Sequence, residues 1–336
     1  MTLKISMLTY AAGLEAELCS KLKPLGLTAY RVDYNKPIRN QISNSDILIN
    51  GLGQLDRQII DFCPKLRLVQ QIGTGVDNVD VSYCASKSIY VANVPHVNNI
   101  SVAEHTIFLM IYLAKNIKGA EKGIKERRVV NVLGTELYNK TMVIIGLGAI
   151  GIEVAKRAKA FGMNVIAVTK RPELRNKVTM NYNTSKDIST LQYCVSECLL
   201  VDEIKGITDL KNTLGKADVV SIHTPLTLET KNMIGRTEFA RMKKSSFLIN
   251  VSRASIVNKD ALYNALTSRT IAAAAGFDVF YEEPANPIDK LLNLDNFVYT
   301  PHIAGWTLEA TNTTTDIILN NINLLLHGRK PLTVIN

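Results

Sequence analysis

Three polar residues of this chain fall where an open α/β sheet does its chemistry. Arg253 follows the apolar stretch 247–251, Glu283 follows 276–280 and His302 follows 297–299. Ligands of such sheets bind outside the carboxyl ends of the strands. A planar guanidinium grips a carboxylate through two parallel hydrogen bonds. An imidazole titrates near neutral pH and can give or take a proton. A carboxylate beside it orients the ring and favours its charged form. The three together suit reduction of a 2-keto acid, which needs a cation for the carboxylate, an acid for the developing alkoxide and a hydride donor. Singly, the arginine reads as a surface ion-pair partner and the histidine as structural; their joint placement favours chemistry.

The hydride donor is indicated by the run Val143-Ile144-Ile145-Gly146-Leu147-Gly148-Ala149-Ile150-Gly151. A short apolar strand, 142–145, enters a G-x-G-x-x-G turn and opens a helix over 152–161, stopped by Gly162 before a second strand over 164–168. Gly146 permits the turn, Gly148 lets backbone approach a pyrophosphate, and Gly151 lets helix pack close on strand, with Ala149 and Ile150 completing the loop. About eighteen residues past Gly151 stand Thr169, Lys170 and Arg171, where an acidic residue would hold the ribose 2′-hydroxyl of NAD. A hydroxyl and two cations suit a 2′-phosphate, so NADP is expected over NAD, with NAD possible. The plainer alternative has both cations in solvent and a site indifferent to the phosphate.

The elements that must position these residues form two domains. The cofactor run begins near residue 143, and the leading part alternates on its own: strands over 4–8, 28–32, 47–50, 66–70 and 89–92, and helices over 13–22 and 54–62. An apolar helix spans 106–114. Beyond the cofactor run, strands over 217–223, 246–251, 274–279 and 297–299 continue a doubly wound parallel sheet. The segment 172–215 is long and polar and reads as a surface excursion of no assigned role. A last helix, 308–326, carries Ile317, Ile318, Ile322, Leu325 and Leu326 on one face and could pack on either domain. The expected fold is two Rossmann-like or flavodoxin-like α/β domains with a cleft between them. Residues 1–100 plus 303–336 form a substrate-binding domain and 101–302 a dinucleotide-binding domain, with crossings near 98–101 and 302–306.

Composition argues against other classes. The 336 residues are 46% hydrophobic and 21% charged, ordinary for a globular enzyme. The net charge of +9 is spread along the chain, and its densest cluster, Lys122, Lys125, Arg127 and Arg128 just beyond a probable helix, reads as a solvated face and not a nucleic-acid site. The five cysteines, Cys19, Cys63, Cys84, Cys194 and Cys198, are odd in number and lack C-x-x-C spacing, so no metal is expected, and reduced thiols suit a cytoplasmic protein. The first ten residues read as a strand and not a signal peptide. The apolar helix is too short to cross a bilayer and reads as buried or as a subunit interface. Of the other histidines, His96 lies near the domain crossing, His105 on the apolar helix reads as core or interface, His223 as a wall of the cofactor site, and His327 as a favourable charge at a helix end.

Several motifs together resemble the D-isomer-specific 2-hydroxyacid dehydrogenases over nearly the whole chain: Gly73-Thr74-Gly75-Val76-Asp77, Ser101-Val102-Ala103-Glu104, the glycine turn, His223-Thr224-Pro225-Leu226-Thr227, Asn250-Val251-Ser252-Arg253, Gly276 through Pro284, and Thr300-Pro301-His302-Ile303-Ala304-Gly305. The resemblance implies that amides of Gly73, Thr74, Gly75 and Val76, with Arg253, meet the substrate carboxylate. His223, Thr224, Pro225, Val251 and Ser252 would line the cofactor, and Asp278 would meet its nicotinamide carboxamide. Glu283, not Glu282, corresponds to the catalytic glutamate, and His302 to the acid that meets both substrate and cofactor. Domain closure would exclude water from the hydride path. Departures are Ala254-Ser255, where the family often has glycine after the arginine, and Trp306, which would shape the substrate pocket or cap the hinge. The stretch 95–100 lacks the arginine that phosphoglycerate dehydrogenases tend to carry, which argues against a phosphorylated substrate. The implied activity is NADPH-dependent reduction of a glyoxylate- or hydroxypyruvate-type keto acid by a homodimer. An NAD-linked phosphoglycerate dehydrogenase, or a dinucleotide-sensing protein like the corepressors that share this fold, are the alternatives.

Overall fold

A parallel strand covered on both faces is a continuous apolar run whose alternate residues enter different cores. The strands of this chain behave so in the computed structural model, which describes residues 3–8, 12–51, 53–127, 133–172, 200–268 and 273–336. The contacts divide the chain into two units, Met1–Asn98 with Trp306–Asn336, and Asn99–Gly305.

The first unit contains β1 (Lys4–Leu8), α1 (Ala12–Leu22), β2 (Thr28–Arg31), α2 (Ile38–Ile42), β3 (Ile47–Asn50), α3 (Arg57–Asp61), β4 (Leu68–Gln71), α4 (Val81–Ser86) and β5 (Tyr90–Ala92). Its sheet is parallel in the order β2-β1-β3-β4-β5. Ile47, Ile49 and Leu68 enter one apolar cluster, while Leu48 and Val69 enter another. The second unit contains α5 (Asn99–Ala114), α6 (Ile117–Lys125), β6 (Thr141–Ile145), α7 (Ala149–Ala160), β7 (Asn164–Thr169), β8 (Glu203–Gly206), α8 (Leu210–Leu214), β9 (Val219–Ile222), α9 (Arg236–Phe239), β10 (Phe247–Asn250), α10 (Lys259–Ser268), β11 (Ala274–Phe277) and β12 (Phe297–Tyr299). Its seven strands lie parallel in the order β12-β11-β10-β9-β6-β7-β8. The chain winds outward in opposite directions from β6 and β9, so the switch point lies between them. The final helix, α11 (Leu308–Leu326), places Ile317, Ile318, Ile322 and Leu325 in the core of the first unit.

Element boundaries differ from the sequence expectation where tertiary pairing competes. Helix α3 starts at Arg57 and not at 54, because Leu55 is buried and bridges Val79, and the Asp56 carboxylate then caps the helix by accepting the Ile59 amide at 2.9 Å. Strand β4 starts two residues later than expected and runs to Gln71. Helix α5 starts at Asn99, well before 106, because Ser101, Val102 and Ala103 are buried with its apolar residues. Helix α7 begins directly after Gly148, with the Ile152 amide already bonded to the Gly148 carbonyl at 3.0 Å, so Gly151 lies within its first turn. Lys122 and Lys125 stand on α6 and not beyond a helix, and Lys122 pairs with Asp295 at 2.8 Å. The expected surface excursion over 172–215 supplies, in its described part, the half-buried edge strand β8 and α8. An edge strand bearing Glu203 and Lys205 shows no apolar run. Residues 173–199 with Cys194 and Cys198, and Arg128, lie outside the described residues.

Candidate active site

At the switch point the backbone is shaped by close approach. Gly146 has φ +99°, and a Cβ there would stand 2.6 Å from the His223 carbonyl oxygen; a Cβ on Gly151 would stand 2.2 Å from the Gly146 carbonyl oxygen. Around the Gly148 Cβ position, in contrast, no atom of the described residues beyond its own chain neighbours lies within 4 Å. Gly148 caps α7 without any side-chain bond, so the amides of Ala149, Ile150 and Gly151 open the helix with its partial positive charge. Crowding on one side and an uncapped helix start beside open space on the other is the arrangement that receives a pyrophosphate. The residues present fit a dinucleotide.

The neighbouring loops close around this turn. The Gly146 amide bonds the Val168 carbonyl at 2.9 Å, which brings the end of β7 alongside. There Lys170 Nζ pairs with Glu229 Oε2 at 2.6 Å, both side chains largely exposed, and the Arg171 amide reaches the Thr169 hydroxyl at 3.4 Å. The His223 amide bonds the Ile145 carbonyl at 2.7 Å. Its ring packs inward, with Nε2 2.7 Å from the Ser221 hydroxyl and Nδ1 sealed without a partner. Burial drives the His223 pKa down to about 3, so the ring is neutral. The Ser252 hydroxyl, next to Val251, donates to the Thr224 carbonyl beside Pro225 and ties the loop after β10 to the one after β9.

Because β10, β11 and β12 are adjacent, the residues that follow them converge. The Asn250 side-chain amide holds the Arg253 carbonyl at 2.9 Å, and Arg253 Nη1 donates to the Ser252 carbonyl at 2.9 Å. His302 Nδ1 lies 2.8 Å from Glu283 Oε2, and Glu283 Oε1 accepts the Phe280 amide at 3.1 Å. Burial pushes the Glu283 carboxyl up, but the hydrogen bond and charge of His302, the Phe280 amide and the nearby Arg253 outweigh it and hold the group below the usual carboxylate range. An ionised carboxylate only accepts, so Nδ1 carries the hydrogen in this pair. His302 itself has φ +55°. Its turn is fixed by Asp278, whose oxygens accept the Thr300 hydroxyl at 2.6 Å and the amides of Ile303 at 2.9 Å and Ala304 at 2.7 Å. Asp278, expected at the nicotinamide carboxamide, is buried and builds the turn that carries the His302 ring. His105 Nε2 joins the same group, 2.8 Å from the Thr300 hydroxyl.

In the first unit, the Gly73–Val76 loop follows β4. It is held by the Thr74 hydroxyl on the Val94 carbonyl at 3.1 Å and by Asn93 Nδ2 on the Thr74 carbonyl at 2.9 Å. Beneath it, Asn50 Nδ2 bonds Gln71 Oε1 at 3.0 Å, Gln71 Nε2 bonds Asn78 Oδ1 at 2.6 Å, and Asn78 Nδ2 bonds the carbonyls of Gly51 and Gly53 at 3.0 and 2.8 Å. This amide network went unassigned in the sequence reading; its signal is a polar side chain ending each of two buried strands. Thr300, His105 and Glu229 were likewise missed as site residues. Trp306 begins the return to the first unit and is 45% exposed. Among the described residues no cluster of three metal-ligating side chains occurs, and no helix is long and apolar enough to cross a membrane.

The chain is similar to known proteins. The family described as D-isomer specific 2-hydroxyacid dehydrogenase, NAD binding domain, matches residues 107–203 and 195–304. A D-3-phosphoglycerate dehydrogenase of Methanocaldococcus jannaschii is 37% identical over 299 residues, 88% of this chain and 52% of that protein. A glyoxylate reductase of Korarchaeum cryptofilum is 32% identical over 310 residues, 90% of this chain and 86% of that one. The structure of the TT0316 protein of Thermus thermophilus superposes with TM-score 0.81 at 26% identity, covering 99% of this chain and 100% of that one. The chain spans about half the length of the phosphoglycerate dehydrogenases it matches.

The depressed Glu283 pKa predicts a pH-dependent contribution to stability. A carboxylate held below its unfolded value stabilises the fold above the usual carboxylate range and loses that effect as pH falls through the folded pKa. Glu283→Gln is expected to lower the unfolding free energy by about 1–3 kcal/mol at neutral pH, the range for hydrogen bonds to charged groups. Urea unfolding should show the gap closing in acid; a gap unchanged between neutral pH and about pH 3 would contradict the assignment.

Proposed function

This chain belongs to the D-isomer-specific 2-hydroxyacid dehydrogenase family, and from that premise we propose that it reduces a small 2-keto acid of the glyoxylate or hydroxypyruvate type to the D-2-hydroxy acid. The reading rests on one observation above the others: Glu283 and His302, 2.8 Å apart, follow β11 and β12, consecutive in the sheet with β10, which Arg253 follows. Dinucleotide binding is assigned to the unit Asn99–Gly305. The Gly146–Gly151 turn would hold a nicotinamide dinucleotide, which when bound would supply the hydride that the substrate's carbonyl carbon accepts. Arg253 grips the carboxylate and orients the carbonyl. His302 donates the Nε2 proton to the carbonyl oxygen as negative charge develops there, and in the reverse direction takes it back. Glu283 accepts the Nδ1 hydrogen, so the ring stays aligned.

His302→Ala should lower kcat by about 10²- to 10⁴-fold, the usual contribution of a positioned acid, while dinucleotide affinity measured by calorimetry stays near that of the wild type. Near-normal turnover would reject the role. Initial rates with glyoxylate, hydroxypyruvate, pyruvate and 3-phosphohydroxypyruvate, each with NADPH and NADH, test the substrate class. Turnover confined to the phosphorylated substrate would favour the phosphoglycerate dehydrogenase reading, and no turnover with any of them a dinucleotide-sensing protein.

The cofactor is read as NADPH in preference to NADH. Lys170 and Arg171 follow β7 beside the glycine turn, where no carboxylate precedes them to repel a 2′-phosphate. Charge-assisted bonds of this kind contribute roughly 1.5–3 kcal/mol each, or one to two decades in affinity. Replacing both cations with alanine should weaken NADPH binding by about 10²- to 10⁴-fold and leave NADH nearly unchanged. Equal losses for the two cofactors would overturn this preference.

A further inference from the structure

We propose that Glu229 is a specificity-determining residue of the dinucleotide site: by holding Lys170 in an ion pair, it limits how strongly the site prefers a ribose 2′-phosphate to a 2′-hydroxyl. The proposal rests on the reading that Thr169, Lys170 and Arg171 receive the ribose 2′ substituent. Lys170 directly follows β7, and Glu229 lies in the connection that follows β9. Those strands flank β6, whose carboxyl end opens into the glycine turn. The two side chains therefore come from opposite sides of the turn and meet at 2.6 Å. No local pattern pairs residues 59 positions apart in sequence; the strand order does.

The two partners are mounted differently. Glu229 belongs to a turn closed on itself: the Lys231 amide bonds the Thr227 carbonyl at 2.9 Å, the Thr227 amide bonds the Thr230 hydroxyl at 2.8 Å, and that hydroxyl donates to the Pro225 carbonyl at 2.7 Å. The backbone that carries the carboxylate is thus fixed. Lys170 stands on a flexible stem just past a strand end, and its side chain is 74% exposed against 70% for Glu229. A hydrated pair of this kind is weak and exchanges partners readily. A phosphate arriving at Lys170 must displace a carboxylate and remain near it, and like charges a few ångströms apart repel even in a water-rich setting. A 2′-hydroxyl meets neither obstacle. Glu229 thus acts on the phosphate-bearing dinucleotide alone, and through Lys170, because that cation is what draws the phosphate to the carboxylate.

The test is a double-mutant cycle read as dissociation constants by calorimetry, with NADPH and NADH as ligands and the full chain. Glu229→Gln should tighten NADPH binding by about three- to tenfold and leave NADH within about twofold. The gain should vanish in a Lys170→Met background and shrink in about 0.5 M salt, where exposed charges are screened. An unchanged melting temperature for Glu229→Gln shows that folding is not the cause. A gain equal for both dinucleotides, no gain, or a gain that persists without Lys170 would overturn the proposal. The underlying reading fails separately: if removing Lys170 and Arg171 weakens both ligands equally, the cations do not receive the 2′ substituent. If that loss is selective for NADPH and Glu229→Gln is still without effect, the reading stands and the role of Glu229 falls.

Discussion

The carboxylate of Asp278, 1% exposed, accepts the hydroxyl of Thr300 and the amides of Ile303 and Ala304, and these bonds hold the turn in which His302 takes a left-handed backbone. A buried charge left without partners is costly, and charge-assisted donors in place of water offset that cost. A non-glycine residue at positive φ is strained by about 1–3 kcal/mol and persists only where its surroundings over-determine it. The proton count extends the constraint further. The one Thr300 hydroxyl hydrogen goes to Asp278, so the Thr300 oxygen accepts from His105, whose Nε2 must carry a hydrogen. Burial lowers the His105 pKa against the opposing pull of Asp278, which favours a neutral ring with that tautomer. Helix α5, the loop after β11 and the loop after β12 are thereby joined around the turn that carries His302.

Strand order does the rest of the positioning. The chain winds away from the β6–β9 boundary in both directions, leaving a crevice where the two halves part. The glycine turn occupies it because only glycine tolerates the approach of the His223 carbonyl to Gly146 and of the Gly146 carbonyl to Gly151. Arg253, Glu283 and His302 lie on the β9 side, and Thr169 to Arg171 on the β7 side. A dinucleotide laid across the turn would have its nicotinamide and adenosine ends at chemically different loops for that reason alone.

Charge is handled locally. The net charge of +9 suggests a basic surface, yet cations of the dinucleotide unit meet carboxylates one by one: Lys122 with Asp295, Lys159 with Asp202, Lys170 with Glu229. Such exposed pairs add little to stability. Their importance is where they fall, and only the last stands beside the glycine turn.

Much of this was legible from residues alone. The strand and turn over 142–151 and the helix Leu308–Leu326 were readable because their signals, apolar period and glycine spacing, lie within a few positions of one another. Arg253, Glu283 and His302 stood out because each follows an apolar run. Strand β8 escaped notice because an edge strand needs no apolar run, and the start of α3 was misplaced because Leu55 pairs with distant Val79. The inward role of Asp278 and the meeting of Lys170 with Glu229 had no local signal, and the polar ends of β3 and β4 did not show that Asn50, Gln71 and Asn78 bond one another. By itself the sequence determined which residues could form strands, turns and helices and which could carry charge or protons, since those properties depend on a residue and its near neighbours. Which of them face one another was decided by tertiary structure, because a hydrogen bond or ion pair between remote positions exists only after the strands have taken their order.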